Sequence, residues 1–301
     1  MRAYGINQKG TGYGNQVTFS TLPNNTTLGT FVLANQQDVI NLGAKNYNTV
    51  QSLEITGTVT DLSPLGHLVV ISGGLTIDHT TQLKDLSGLE NLEIVGDFFP
   101  NNLFIEYNSA LTSLKGLNKL RIVRGYFQID NNNSLINLKG LDGFTTSEEG
   151  EFLIQSNASL TSLDGIESMV YCFGGVNIAN NPLLTNIHGL KNVQLIGVSG
   201  LYISNNPLLA TLDGLQSVTK ITSGDPTFDN AGIIISENNG LQSLSGLDNL
   251  SYVGGRVTIQ DNPNLNYYCA LKLLYSTYSG ITLITGNKVN VDAATITSTC
   301  K

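Results

Sequence analysis

The sequence predicts a mainly β protein, a right-handed parallel β-solenoid of about nine rungs with short capping helices. Two observations predict this fold class. Short strand-like segments that end in isoleucine recur along the chain, and a polar residue, usually asparagine, follows most of them three positions later. A self-similar period of about 20 to 29 residues is typical of solenoids, in which every unit packs only on its neighbours.

The repeated isoleucines are Ile55, Ile77, Ile105, Ile129, Ile154, Ile178, Ile203, Ile235 and Ile259. Their successive separations are 22, 28, 24, 25, 24, 25, 32 and 24 residues. Each isoleucine closes a triplet that alternates between apolar and variable positions, such as Leu75-Thr76-Ile77. A strand turns successive side chains to opposite faces, so the triplets predict strands with two inward residues and one outward residue.

The asparagines that follow are Asn108, Asn132, Asn157, Asn181, Asn206, Asn238 and Asn262, and Thr80 stands at the equivalent place in the second rung. A side-chain amide both donates and accepts hydrogen bonds, and stacked rungs let neighbouring amides bond to each other. The column therefore predicts an asparagine ladder inside the coil. Leucines then recur every third residue, as in Leu111, Leu114 and Leu117, and are expected to continue the core along the return path.

The ends of the repeat divide the chain into four parts. Residues 1–34 are predicted to be an N-terminal extension, an edge strand or an arm that reaches another subunit. Residues 35–48 form an N-terminal cap, 49–266 the solenoid repeats, and 267–301 a C-terminal cap. Solenoids need caps because a terminal rung exposes core and an unpaired strand edge. Two insertions, at 97–102 and 223–230, lengthen the third and eighth rungs and are candidate contact loops.

The motifs at 180–190 and 205–215, Asn-Asn-Pro-Leu-Leu followed by a Gly-Leu turn, resemble the L domains of receptor ectodomains. They resemble still more the leucine-rich cell-surface and secreted proteins of bacteria and protists. The resemblance covers about residues 30–300, including both caps. It implies a parallel β-solenoid and an extracellular binding or adhesive role. The chain departs from receptor L domains in having almost no cysteines between rungs, so a signalling role does not transfer.

Composition excludes several classes of function. The net charge of −8 disfavours nucleic acid, which needs a basic surface, and also anionic lipid. No run of about 18 apolar residues is present, so membrane insertion is not expected. Residues 1–20 lack the apolar stretch of a signal peptide, which predicts either a cytosolic protein or a secreted chain whose signal has been removed. The resemblance favours an extracellular or cell-surface location.

Three cysteines bear on the same question. Cys269 and Cys300 bracket the C-terminal segment, and a disulfide between them would fasten the end of the solenoid. Cys172 falls on a core position and is expected to be a buried free thiol. Glycosylation sequons occur at Asn24, Asn25, Asn132, Asn157 and Asn249. Asn132 and Asn157 are ladder positions, where burial should prevent glycosylation. Asn24, Asn25 and Asn249 are therefore the candidate glycosylation sites.

The candidate ligand-binding residues lie on the outward side of the strands. The position after the repeated isoleucine is Asp78, Glu106 and Asp130 on three consecutive rungs. The candidate site comprises Phe104, Glu106, Tyr107, Gln128, Asp130 and Tyr202. Carboxylates beside aromatic rings suit a sugar or a cationic side chain, and oxygen ligands at rung spacing also suit Ca²⁺.

The sequence contains no motif typical of a catalytic site, a metal site or a cofactor. His67, His79 and His188 have no partners at metal-ligand spacing and are expected at the surface. The leading hypothesis is therefore a non-enzymatic extracellular module that presents its repeat surface to protein or glycan. The first alternative is a self-assembling structural subunit of a surface fibre or layer. The second is a β-solenoid carbohydrate-active enzyme that uses Glu106 and Asp130 as its carboxylate pair.

Overall fold

A computed structural model describes residues 25–97, 101–222 and 232–300, together with the backbone of 4–7 and 10–13. Within these ranges the chain coils into a β-solenoid with two parallel sheets, one of long strands and one of two-residue strands. The predicted fold class, a mainly β solenoid with short capping helices, is confirmed. The segments 223–230 and Val17 to Leu22, and the Phe98-Phe99-Pro100 part of the other insertion, lie outside the described residues.

The long sheet contains eleven described strands in a single parallel order. They are β3 (Thr30–Leu33), β5 (Ser52–Ile55), β7 (Leu75–Asp78), β9 (Leu103–Glu106), β11 (Phe127–Asp130), β13 (Phe152–Gln155), β15 (Val176–Ala179), β17 (Leu201–Ser204), β19 (Ile233–Ser236), β21 (Val257–Gln260) and β22 (Thr282–Thr285). Alternate residues face inward, and all nine repeated isoleucines are fully buried.

Along the chain, each strand of the short sheet comes shortly before a strand of the long sheet. Its strands are β4 (Thr49–Val50), β6 (Val70–Ile71), β8 (Ile94–Val95), β10 (Ile122–Val123), β12 (Thr146–Ser147), β14 (Tyr171–Cys172), β16 (Leu195–Ile196), β18 (Lys220–Ile221) and β20 (Tyr252–Val253). The second residue of each pair enters the core. Cys172 is one of these residues, and burial raises the pKa of its thiol to about 12, so it behaves as a small apolar side chain.

The remaining elements lie at the ends of the coil or on its return path. Strands β1 (Tyr4–Asn7) and β2 (Gly10–Tyr13) form an antiparallel hairpin. The helices are α1 (Gln36–Gly43), α2 (Lys272–Tyr275) and α3 (Ala293–Thr299), and 3₁₀ turns occur at Ser63–Leu65, His188–Leu190 and Cys269–Leu271. Asn35 begins α1 with a capping box, because its side chain accepts from the Asp38 N–H while the Asp38 carboxylate accepts from the Asn35 N–H.

The outermost long strands lie within segments that the sequence assigned to the ends. Strand β3 lies within residues 1–34 and pairs in parallel with β5. Strand β22 lies within residues 267–301 and pairs in parallel with β21. Both continue the long sheet, so the repeated coil extends on each side of the nine isoleucine triplets.

A continuous column of buried amides joins the coils. The Asn181 Oδ1 accepts from the Asn157 N–H (3.1 Å) and from the Asn157 Nδ2 (3.3 Å), while the Asn181 Nδ2 donates to the Ile154 carbonyl (3.0 Å). The same bonds recur from Asn108 to Asn262, and all seven asparagines are fully buried. The Asn181 and Asn206 side chains thus point into the coil, as the ladder requires.

Each end of the ladder is closed by a different polar group. In the second rung the Thr80 hydroxyl donates to the Asn108 Oδ1 (2.7 Å) and closes that end of the ladder. At the other end the Asn287 Oδ1 accepts from the Asn262 N–H (3.0 Å), and Asn290 accepts in turn from the Asn287 N–H (3.0 Å). Sequence reasoning missed Asn287 as a ladder member, although it lies three residues after Ile284 and so keeps the period.

Replacing Asn181 with alanine should destabilise the protein by about 2–6 kcal/mol, because the Asn157 N–H and the Ile154 carbonyl each lose a buried hydrogen bond from the Asn181 side chain, at about 1–3 kcal/mol each. Urea unfolding followed by circular dichroism measures the effect. The matched control is Asn192→Ala, since Asn192 is exposed and its amide makes one bond, to the Glu167 carbonyl. Equal losses in the two variants would contradict a structural role for the ladder.

The disulfide between Cys269 and Cys300 fastens the C-terminal cap, and the two cysteines have a sequence separation of 31. It ties α3 to the 3₁₀ turn and α2, against which α3 packs. Closing a loop of this length stabilises the folded state by about 3–4 kcal/mol on the chain-entropy model. We expect Cys269→Ser/Cys300→Ser to lose about this much stability locally. Hydrogen exchange should then accelerate in residues 282–300, while exchange at the central rungs stays as in the wild type.

Candidate functional site

The candidate site is a column of three carboxylates on the outward face of the long sheet. The strand register pairs Asp78 with Glu106 and Glu106 with Asp130, so the three side chains lie on neighbouring strands β7, β9 and β11. Neighbouring strands are about 4.8 Å apart. We call these three residues the carboxylate column. All three are partly buried.

The neighbouring carboxylates disfavour the charged form of Glu106. Burial, together with the charges of Asp130 and Asp78, raises the pKa of Glu106 above its usual value, while nearby His79 opposes this shift. Among the described residues, no hydrogen bond reaches the buried Oδ1 atoms of Asp78 and Asp130. Buried acceptors of this kind usually accept a hydrogen bond, so these two oxygen atoms are exceptions.

Two aromatic rings stand at the corner beside the column. His79 and Tyr107 follow Asp78 and Glu106 directly, and both have a left-handed backbone, with φ values of 50° and 54°. Their N–H groups donate to the next strand, at the Glu106 carbonyl (3.1 Å) and the Asp130 carbonyl (3.0 Å). The repeated corner stacks their rings 4.8 Å apart, and the His79 Nδ1 lies 3.1 Å from the Asp78 carboxylate.

Sequence reasoning treated His79 as an isolated surface residue. The repeat contained the signal that places it, because His79 and Tyr107 are 28 residues apart, as are Ile77 and Ile105. Its side chain is indeed exposed, but it belongs to the edge of the candidate site. His67 and His188 lie away from this corner, in other parts of the coil.

The middle outward positions complete the surface. Phe104 and Gln128 are in register on β9 and β11 and are partly buried. The structure does not bring Tyr202 to them. Leu153 and Asn177 stand between Gln128 and Tyr202, which places Tyr202 four strands from Phe104, or about 19 Å at strand spacing. The compact cluster therefore contains His79 and lacks Tyr202.

The cluster combines acidic, amide and aromatic side chains. Among the residues that the structure describes, no group of three or more His, Cys, Asp or Glu side chains has the arrangement of a metal site. The cluster offers acidic oxygens, an amide and aromatic rings on the outward face of the sheet, which suits cationic or hydroxyl-rich ligands.

Two of the predicted glycosylation sites lie elsewhere. The sequon residue Asn249 is exposed and its Nδ2 donates to the Gln216 carbonyl (2.8 Å), while the Asn25 Nδ2 donates to the Lys45 carbonyl (3.1 Å). Asn24 lies outside the described residues.

Residues 45–142 match the family model described as Receptor L domain. The matched segment contains the carboxylate column and both corner rings. No curated protein and no solved structure matches the chain. The family match and the coiled architecture together make the chain an L-domain-like solenoid.

The match indicates a receptor-like ligand-binding module, in a family that is non-enzymatic and extracellular. The disulfide is consistent with an extracellular location. None of the helices in the described ranges is long and apolar enough to cross a membrane.

Replacing Glu106 with glutamine should stabilise the protein at neutral pH by up to about 1 kcal/mol, because like charges on neighbouring strands repel. A carboxyl whose pKa is raised on folding penalises the folded state above that pKa and has no such effect below the usual value for glutamate. The gain over the wild type should therefore shrink as the pH falls and Glu106 becomes protonated. Thermal unfolding between pH 7 and pH 3 measures it. A gain that is the same at every pH would contradict the assignment.

Proposed function

We propose that the protein is an extracellular, non-enzymatic recognition module that binds a protein or glycan ligand on the long sheet between β7 and β11. The ligand would lie across the carboxylate column and contact Phe104 and Gln128 on one side and the ring pair of His79 and Tyr107 on the other. The family match at 45–142 supports this function, since it indicates a ligand-binding module and covers the same rungs.

The observation that carries the proposal is the register of Asp78, Glu106 and Asp130. Three adjacent carboxylates cost stability in the free protein, and that cost falls when a cation or a set of hydroxyl donors bonds to them. The buried Oδ1 atoms of Asp78 and Asp130 accept no hydrogen bond within the described structure, so donors of this chain offset little of that cost. Lysine or arginine side chains and sugar hydroxyls both meet this requirement.

The scaffold favours binding because it is rigid before the ligand arrives. Strands β7, β9 and β11 are joined by parallel hydrogen bonds, and the ladder and core hold their spacing from inside. A preformed surface loses little conformational entropy on binding, so more of the contact energy appears as affinity. The aromatic rings add contact area at the edge of the charged column.

Binding should depend on the carboxylate column rather than on overall charge. Arrays of glycans and of lysine- and arginine-rich peptides are probed with the wild type and with the triple variant Asp78→Asn/Glu106→Gln/Asp130→Asn. We expect at least one class of probe to bind the wild type and to lose tenfold or more in affinity for the variant, which corresponds to about 1.4 kcal/mol. The identity of the probe distinguishes a protein ligand from a glycan.

The control variant removes the same number of charges from exposed positions off the strands, as Glu90→Gln/Asp142→Asn/Asp248→Asn. It should bind as the wild type does. Equal losses in both variants, or no binding to either array, would sink the proposal. Sugar release by the wild type that disappears in Glu106→Gln/Asp130→Asn would instead establish the hydrolytic alternative.

A further inference from the structure

We propose that the two ends of the solenoid bind each other, so that β22 of one molecule pairs in parallel with β3 of a second copy. This head-to-tail contact would continue the long sheet from one molecule into the next. It uses surfaces separate from the carboxylate column and goes beyond the ligand-binding function. Three observations on the end strands carry it.

The first observation is the matched geometry of the two outer strands. Within the described residues, β3 pairs only with β5, and β22 pairs only with β21. Both strands are four residues long and occupy the same place in the coil. All neighbours in the sheet are parallel, so the open edge of β3 complements that of β22 through the hydrogen-bond pattern that already joins successive rungs.

The second observation is incomplete burial on the core side of β22. The nine isoleucines from Ile55 to Ile259 are fully buried, whereas their equivalent Ile284 is only partly buried. Leu33 occupies this position in β3. A second copy stacked in the repeat register would place its Phe31 beside Thr282. Leu33 is already buried in its own molecule, at 2% exposed, so the apolar surface that becomes covered belongs to Ile284 and Phe31. Burial of that apolar surface is the driving force of the contact.

The third observation is on the outward side. Val32 and Leu283 are the equivalent middle residues of β3 and β22, and their exposed fractions are 54% and 43%. Close by, Leu28 and Ile281 are exposed at 72% and 61%. Exposed apolar side chains beside an open strand edge mark an interaction surface. In the proposed contact Val32 and Leu283 become cross-strand neighbours.

A second copy fits these ends better than an unrelated strand does. Among the described residues each outer strand has one open edge, and the strand that would continue the sheet beyond β22 is a further rung of this same repeat. The contact is heterologous, so it leaves one end of each type free and extends into a chain of molecules. The ladder does not take part, because Asn290 already bonds to Asn287 where the next amide would lie.

The ends can be blocked one at a time. Sedimentation velocity of the full chain over a range of concentrations should show oligomers for the wild type and monomers for Val32→Lys and for Leu283→Lys, and two lysines opposite each other also keep the blocked ends of the two variants apart. Each variant keeps one intact end, so an equal mixture of the two should form dimers and nothing larger. Thr76→Lys is the control, since Thr76 holds the same outward position on the interior strand β7.

Cysteine cross-linking checks the register and captures weak association. Oxidised Val32→Cys/Leu283→Cys should give a series of covalent multimers, since opposed residues on neighbouring strands lie within disulfide reach. Thr76→Cys/Leu283→Cys should form no covalent multimers, because Thr76 lies on an interior strand and Cys172 is buried. A wild type that is monomeric at every concentration and a double cysteine variant that forms no multimers would overturn the proposal. So would a mixture of blocked variants that fails to dimerise.

Discussion

The amide ladder is the interaction on which the rest of the structure depends. Each coil from β5 to β22 turns sharply after its long strand, through a residue with a left-handed backbone, and that corner leaves N–H and carbonyl groups inside the molecule. Buried backbone groups without partners are costly, and one asparagine per coil satisfies several of them. Because each amide bonds to the next, as from Asn157 through Asn181 to Asn206, the coils cannot shift in register independently.

A fixed register has a direct consequence on the outside of the molecule. Side chains at the same position of successive strands must stand next to each other whether or not their contact is favourable. Asp78, Glu106 and Asp130 are held together in this way, and so are the stacked rings of His79 and Tyr107. The interior stabilises an arrangement that the carboxylates alone would avoid. Unfavourable local contacts that the rest of the fold holds in place are typical of functional surfaces.

The family match covers residues 45–142, yet the same geometry continues through β22. The surface changes along this length while the interior does not. The position after the strand isoleucine is acidic on β7, β9 and β11, and becomes Gln155, Ala179 and Ser204 farther along. A fold of this type supplies many equivalent positions, and function depends on the few that carry distinctive side chains. The matched segment includes all three rungs with the acidic side chains.

The sequence by itself determined the repeat, the inward positions and the ladder, because the repeat preserves each of these across many rungs. It also placed Glu106 next to Asp130, since strand spacing follows from the period. Only the tertiary structure decided that the rings of His79 and Tyr107 stack beside the column, that Tyr202 lies four strands from Phe104, and that β3 and β22 are the outer strands of the described sheet. These features depend on how many coils separate two residues and on where stacking ends. Comparing one rung with another shows what the rungs share. It does not show which strand of the described sheet is the last one and has an open edge.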